Sequence, residues 1–250
     1  MRLPSIFSRR NGHDRPVSNT DEDWRIIAEV EPFYGVLTNP KFLRSNIDDA
    51  AKAEFFATGE GDVGHIHREM NRHFGPFNPR SAMDFGCGVG RLTRALHDIT
   101  GDAIGVDVAP GMVAEARKEV RAGLSFTTTL PDRLFGWIVS IIVFQHITPE
   151  RGYPLLQRIC GLAAPGGGIT LQLPFYRREA MAGAPGGRLL SNGEKPLPVP
   201  PYPPGEMTMF DYDLSRVVMT LFESGFSDVR LVPTDHGGFC GAMIYGKRGG

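Results

Sequence analysis

The stretch Asp84–Leu92 reads DFGCGVGRL, with Gly86, Gly88 and Gly90 at every second position behind Asp84. Before it, AMDF is an apolar run of strand length; after it, RLTRALHDIT has helical spacing. A glycine loop between a strand and a helix lets the backbone come close to a ligand and aims the helix N-terminus at it. The spacing narrows the choice of ligand. A dinucleotide fingerprint needs G-x-G-x-x-G and a phosphate loop needs Lys followed by Ser or Thr, and neither is met here.

The loop sits at the head of a longer rhythm. From Ser81 onward, short apolar runs alternate with amphipathic stretches of helical length. The strands expected are AMDF, DAIGVDV, LSFTTT, WIVSIIVFQ and GGITLQLP; the helices are RLTRALHDIT, GMVAEARKEVR and GYPLLQRICGLA. Such alternation predicts a parallel sheet with right-handed crossovers, and strands this apolar are covered by helices on both faces. Toward the C-terminus, Leu214, Val217, Val218, Leu221 and Phe222 share a helical face that ends at Gly225, and DVRLVP and CGAMIYGK form a hairpin turning at TDHGGF. The fold class is therefore α/β: a Rossmann-like, seven-stranded, mostly parallel sheet with helices on both faces and a terminal antiparallel hairpin.

Around this core, residues 1–20 are expected to be a disordered tail and residues 21–76 a helical lid. In the lid, DEDWRIIAEVEP places Trp24, Ile27 and Val30 on one face and Pro32 stops the helix. Two more helices follow, IDDAAKAEFFATG and EGDVGHIHREMNRHFG, the second opened by Glu60 as a cap or as a group facing a ligand. The core spans 77–176. Residues 177–209, too rich in Pro and Gly for a regular element, are a candidate lid loop, and residues 210–250 complete the same domain.

The bulk numbers exclude other classes. The 250-residue chain is 41% hydrophobic and 22% charged with a formal net charge of −1, so no basic surplus is present to grip nucleic acid. Cys87, Cys160 and Cys240 are odd in number and far apart, which argues against a disulfide framework or a zinc site. His65, His67 and His73 are spaced by two and six residues and do not stack on one helical turn, so no metal is expected. The opening residues contain no apolar run long enough for a signal peptide and nothing later approaches a membrane span, which points to a cytoplasmic protein.

DFGCGVGRLTRAL resembles motif I of the class I S-adenosylmethionine-dependent methyltransferases. The resemblance extends in order through AIGVDVAPGMVAEAR, IVSIIVFQHI and LLQRICGLAAPGGGITLQL, roughly Ser81 to Leu173. It implies S-adenosyl-L-methionine as cofactor, with Asp84, Gly86, Gly88 and Gly90 beside its methionine portion and Asp107 holding both ribose hydroxyls. A carboxylate facing two vicinal hydroxyls is a strong bidentate acceptor. Met112 matches the residue that packs on adenine, or is simply a core methionine. Phe33 and Tyr34 interrupt the first helix where the family places a flap, so Tyr34 is a candidate to reach the methionine carboxylate or to shield the methyl.

Two departures from the family are visible. The third strand lacks its acidic terminus, leaving Thr128, Thr129 or a backbone carbonyl to read adenine. The fourth strand opens with Gly136 and Trp137 instead of Phe-Asp.

The implied activity is methyl transfer to a small-molecule or glycoconjugate acceptor through a hydroxyl; the alternative is a catalytically inactive cofactor-binding or auxiliary protein on the same fold. Such transfer is mainly alignment, and a base is needed only if the nucleophile must lose a proton. The base candidates are His236, with Asp235 orienting it in the TDHGGF turn, and His146 after strand four.

Overall fold

The computed structural model describes residues 20–177, 188–190, 208–235 and 239–250. Four helical elements come first: α1 (Thr20–Val30), α2 (Pro32–Val36), a 3-10 turn (Pro40–Phe42) and α3 (Asp49–Phe74). The core follows as β1 (Ala82–Phe85), α4 (Arg91–Thr100), β2 (Ala103–Val106), α5 (Pro110–Ala116), β3 (Leu124–Thr127), β4 (Phe135–Ile141), a 3-10 turn (Phe144–His146), α6 (Pro149–Gly161) and β5 (Ala163–Arg177). A short pair, β6 (Arg188–Leu190) and β7 (Thr208–Phe210), precedes α7 (Leu214–Glu223), β8 (Phe226–Asp235) and β9 (Phe239–Arg248).

The seven-stranded sheet has the order β3-β2-β1-β4-β5-β9-β8. The first five strands pair in parallel, while β9 inserts antiparallel between β5 and β8. Each face is sealed by helices. On one face, Leu156 and Ile159 of α6 and Val217 and Leu221 of α7 pack on Ile138, Ile169, Leu171 and Ile244. On the other, Val63, Ile66 and Met70 of α3 and Leu92 and Leu96 of α4 pack on Trp137, Val139 and Tyr245. Trp137, where the family has an acidic residue, is fully buried and donates its indole N–H to Thr170 Oγ1 at 3.0 Å.

Several boundaries differ from the sequence expectation, each for a physical reason. The two helices expected between Ile47 and Phe74 are the single helix α3, which runs through Gly59, Glu60 and Gly61. Gly59 does not break it: a Cβ there would collide with the carbonyl of Arg91, so this glycine permits close packing of α3 on α4. Glu60 is consequently an exposed mid-helix residue and not a cap; the cap of α3 is Asp48, which accepts the Ala51 N–H at 2.8 Å. Phe33 and Tyr34 lie inside the short helix α2, both buried. β4 stops at Ile141, because Ile142 takes φ 61° and Phe144–His146 form a 3-10 turn instead of continuing the strand. Within the Pro-rich stretch, Arg188–Leu190 and Thr208–Phe210 pair as antiparallel strands; the rest of the proposed lid loop and the expected tail up to Asn19 lie outside the described residues. No helix is long and apolar enough to cross a membrane among the described residues.

Candidate active site

The C-terminal ends of β1, β2 and β4, closed from above by α1 and α2, enclose a cavity of about 280 Å³. Its floor is the glycine loop, where Gly86 and Gly88 adopt φ of 79° and 53°, a region L side chains rarely enter. Both also lack room for a side chain. A Cβ on Gly86 would strike Val143, and one on Gly88 would lie 2.5 Å from Val36 Cγ2 of α2. Gly90 is the left-handed residue before α4 and faces Phe126, behind the cavity wall.

Asp107 follows β2 and its carboxylate is bound at both oxygens: Gly88 N–H donates to Oδ2 and Ala109 N–H to Oδ1, each at 2.9 Å. These bonds lock the carboxylate to the glycine loop. Each oxygen keeps a lone pair, so two vicinal hydroxyls can still be received. Burial raises the Asp107 pKa, and the Ala109 and Gly88 N–H groups oppose that rise.

Asp84 is 2% exposed and accepts the Thr93 hydroxyl at 2.7 Å. Its desolvation raises the pKa to about 6, against the Thr93 bond and the attraction of Arg91. A buried carboxylate in a cavity wall, held near its titration point, suits a cationic ligand group. Arg91 is itself buried at 5% and lines the cavity, where α3 fixes it through Asp62 (2.5 Å) and Thr58 (3.2 Å). Its Nε has no hydrogen-bond partner. Cys87 lies in the same wall, but burial drives its thiol pKa well up, which removes it as a nucleophile.

The end of β4 forms the opposite wall. The left-handed Ile142 is held by its N–H donating to Gln172 Oε1 at 3.1 Å, a side chain of β5. That reversal, followed by the 3-10 turn, brings His146 back into the cavity wall, 7% exposed. Gln145 Nε2 lies 3.2 Å from His146 Nε2; an amide NH₂ only donates, so Nε2 of the imidazole carries the lone pair. Trp24 of α1 meets the imidazole edge-on with centroids 4.9 Å apart.

Of the residues singled out in the sequence, Asp84, Gly86, Gly88, Asp107, Met112 and His146 line this one cavity. Tyr34 and Thr129 do not. Tyr34 is buried in α2 while its neighbours Gly35 and Val36 reach the cavity. The Thr129 hydroxyl and backbone N–H both engage Thr127 Oγ1, and Thr128 is the one of the three that lines the cavity. Met112 is 1% exposed and packs with α1 and α2 as a core methionine that also lines the cavity.

Asp235 is exposed and is not part of the wall. Through the register Ile141, Gln172, Met243, Val232, it lies three strands across and three residues beyond the end of β4, roughly 17 Å on a flat sheet. Its partner in that reading, His236, lies outside the described residues. No grouping of three potential metal ligands occurs among the described residues; His67 instead hydrogen-bonds the Phe77 carbonyl at 2.8 Å.

Sequence reasoning missed Thr20, Asp21, Trp24, Arg91 and Arg151 as cavity residues. Arg91 directly after the third glycine was the one legible signal. The others converge from helices far apart in the chain.

Residues 82–167 match the family model described as a methyltransferase domain. Two curated relatives are trans-aconitate 2-methyltransferases. That of Methylobacterium radiotolerans is 37% identical over 103 residues, 38% of each chain. That of Methylobacterium nodulans is 32% identical over 112 residues, 40% of this chain and 41% of the relative. The chain thus matches about two fifths of the length of these relatives. Among solved structures, magnesium protoporphyrin IX methyltransferase from Synechocystis with bound S-adenosylhomocysteine superposes with a TM-score of 0.60 at 14% identity, over 92% of this chain and 100% of that one. An S-adenosylmethionine-dependent methyltransferase from Clostridium acetobutylicum gives 0.56 at 13% identity, over 87% and 96%. At these identities the structural likeness concerns the fold.

Proposed function

The chain belongs to the class I S-adenosylmethionine-dependent methyltransferases through its domain at residues 82–167, and from this premise we propose that it transfers a methyl group to a hydroxyl of a small-molecule acceptor. The observation that carries this reading is the locked carboxylate of Asp107 facing the cavity over the left-handed Gly86–Gly88 floor. A pre-set bidentate acceptor beside a backbone without side chains fits a ribose and its substituents. Asp84 fits the cofactor's ammonium group, and Met112, Thr128 and Val108 remain for the adenine side of the same cavity.

When bound, S-adenosylmethionine supplies an electrophilic methyl on a positively charged sulfur. The chain's own contribution is alignment and exclusion of water. α1 and α2 form the roof through Trp24, Gly35 and Val36 and act as the lid, whereas α3 packs on the sheet. His146 receives the proton that the acceptor hydroxyl loses. Its Nε2 lone pair is set by Gln145, whose amide the hydroxyl replaces.

Incubation with methyl-labelled S-adenosylmethionine and a fractionated metabolite extract, followed by mass spectrometry, tests the activity. With an acceptor in hand, His146→Gln is expected to lower turnover by roughly 10²-fold, with cofactor affinity intact and the loss shrinking at high pH. Unchanged turnover would return His146 to a packing role.

A further inference from the structure

The mouth of the cavity holds a charge arrangement that methyl transfer itself does not use. Arg151 lines the cavity from the first turn of α6, with a side chain 52% exposed. A cation at a helix N-terminus opposes the helix dipole, so this position gives α6 nothing. What stabilises it is a carboxylate: Asp21 of α1, also in the cavity wall, accepts from Arg151 Nη2 at 2.7 Å. Next to Asp21, Thr20 lines the same cavity; the residue is 3% exposed and its buried hydroxyl has no hydrogen-bond partner. Three features therefore meet at one place: a guanidinium fork, a carboxylate already seated on it, and an unused buried hydroxyl.

We propose that Arg151 and Thr20 form the recognition site for a carboxylate of the acceptor, and that Asp21 is its stand-in when no acceptor is bound. This rests on the methyl-transfer reading for the word acceptor; the carboxylate site itself rests on the geometry alone. A planar guanidinium matches a carboxylate in two parallel hydrogen bonds, and the Thr20 hydroxyl supplies a third donor. A second carboxylate arriving at Arg151 repels Asp21, and Asp21 sits on the same helix as Trp24, whose ring contacts His146 edge-on. Exchange at Arg151 thereby releases the Asp21 side chain while Thr20 holds the incoming carboxylate, so the contact between α1 and His146 responds to an acidic acceptor.

Glutarate and citrate, with neutral glutaramide as control, are titrated into protein loaded with S-adenosylhomocysteine, and Trp24 fluorescence is followed in a Trp137→Phe background. Saturable binding of both acids is expected, weakened at least tenfold by Arg151→Gln and tightened by Asp21→Asn, with glutaramide inert. Wild-type protein that binds neither acid, an Arg151→Gln variant that binds as well as wild type, or equal binding of glutaramide would overturn the proposal. Asp21→Asn without tighter binding would overturn the stand-in role. Uptake of S-adenosylhomocysteine is measured first by calorimetry. If it fails, the methyl-transfer reading fails, and the same acid titration on the bare protein still judges the Arg151 site.

Discussion

Lowering the pH through 6 should strip the protein of cofactor affinity by a mechanism that resides in Asp84. Its carboxyl is 2% exposed and its pKa stands at about 6, because burial outweighs the Thr93 hydrogen bond and Arg91. The folded pKa lies above the ordinary carboxyl value of 3.8, so without cofactor this group stabilises the fold below about pH 4 and that contribution is lost as pH rises toward 6. A bound ammonium group reverses the balance by favouring the ionised form. If it returns Asp84 to the ordinary carboxylate range, the shift of about two units corresponds to about 3 kcal/mol of binding energy. Affinity for S-adenosylhomocysteine should then be flat above about pH 7 and fall up to tenfold per unit between about pH 6 and 4, with proton release on binding near pH 6. Calorimetry in buffers of different ionisation enthalpy measures both. Asp84→Asn should bind weakly at every pH and release no proton. An affinity that does not change between pH 7 and 5, or an Asn variant that binds like wild type, would refute the assignment.

Asp107→Ala should weaken cofactor binding by about 2 kcal/mol or more, read by the same titration, because two charge-assisted bonds are lost together with the anchor on Gly88. Gly88→Val should abolish binding and lower stability by about 1–3 kcal/mol, since φ 53° and the Val36 side chain both resist a branched residue; a denaturant melt and a titration decide it. Ile142→Asn should raise stability by about 1 kcal/mol in a urea melt, as Asn tolerates the left-handed backbone that Ile does not.

The parts of the fold legible in the sequence are those governed by local periodicity. AMDF and RLTRALHDIT coincide with β1 and α4 to the residue, and Gly225 ends the C-terminal helical segment in a left-handed conformation at φ 88°. Local reasoning failed where a tertiary contact chose the backbone. Gly59 reads as a helix breaker but is a packing device against Arg91, and the apolar run through Ile142 reads as strand but is turned by Gln172. The glycine-loop side of the cavity was legible because Asp84, the glycines and Asp107 follow each other in a short span. The α1 and α6 side was not. Asp21 and Arg151 stand 130 residues apart, and they meet only because α1 packs across the cavity onto α5. Asp235, adjacent in sequence to His236, stands instead at the end of the edge strand β8.

Equilibrium titration of the full chain with S-adenosylmethionine, run beside NADH, tests the central claim most directly. Saturable 1:1 binding of S-adenosylmethionine that Asp107→Ala weakens, and no binding of NADH, are expected. Binding of NADH without binding of S-adenosylmethionine would contradict it.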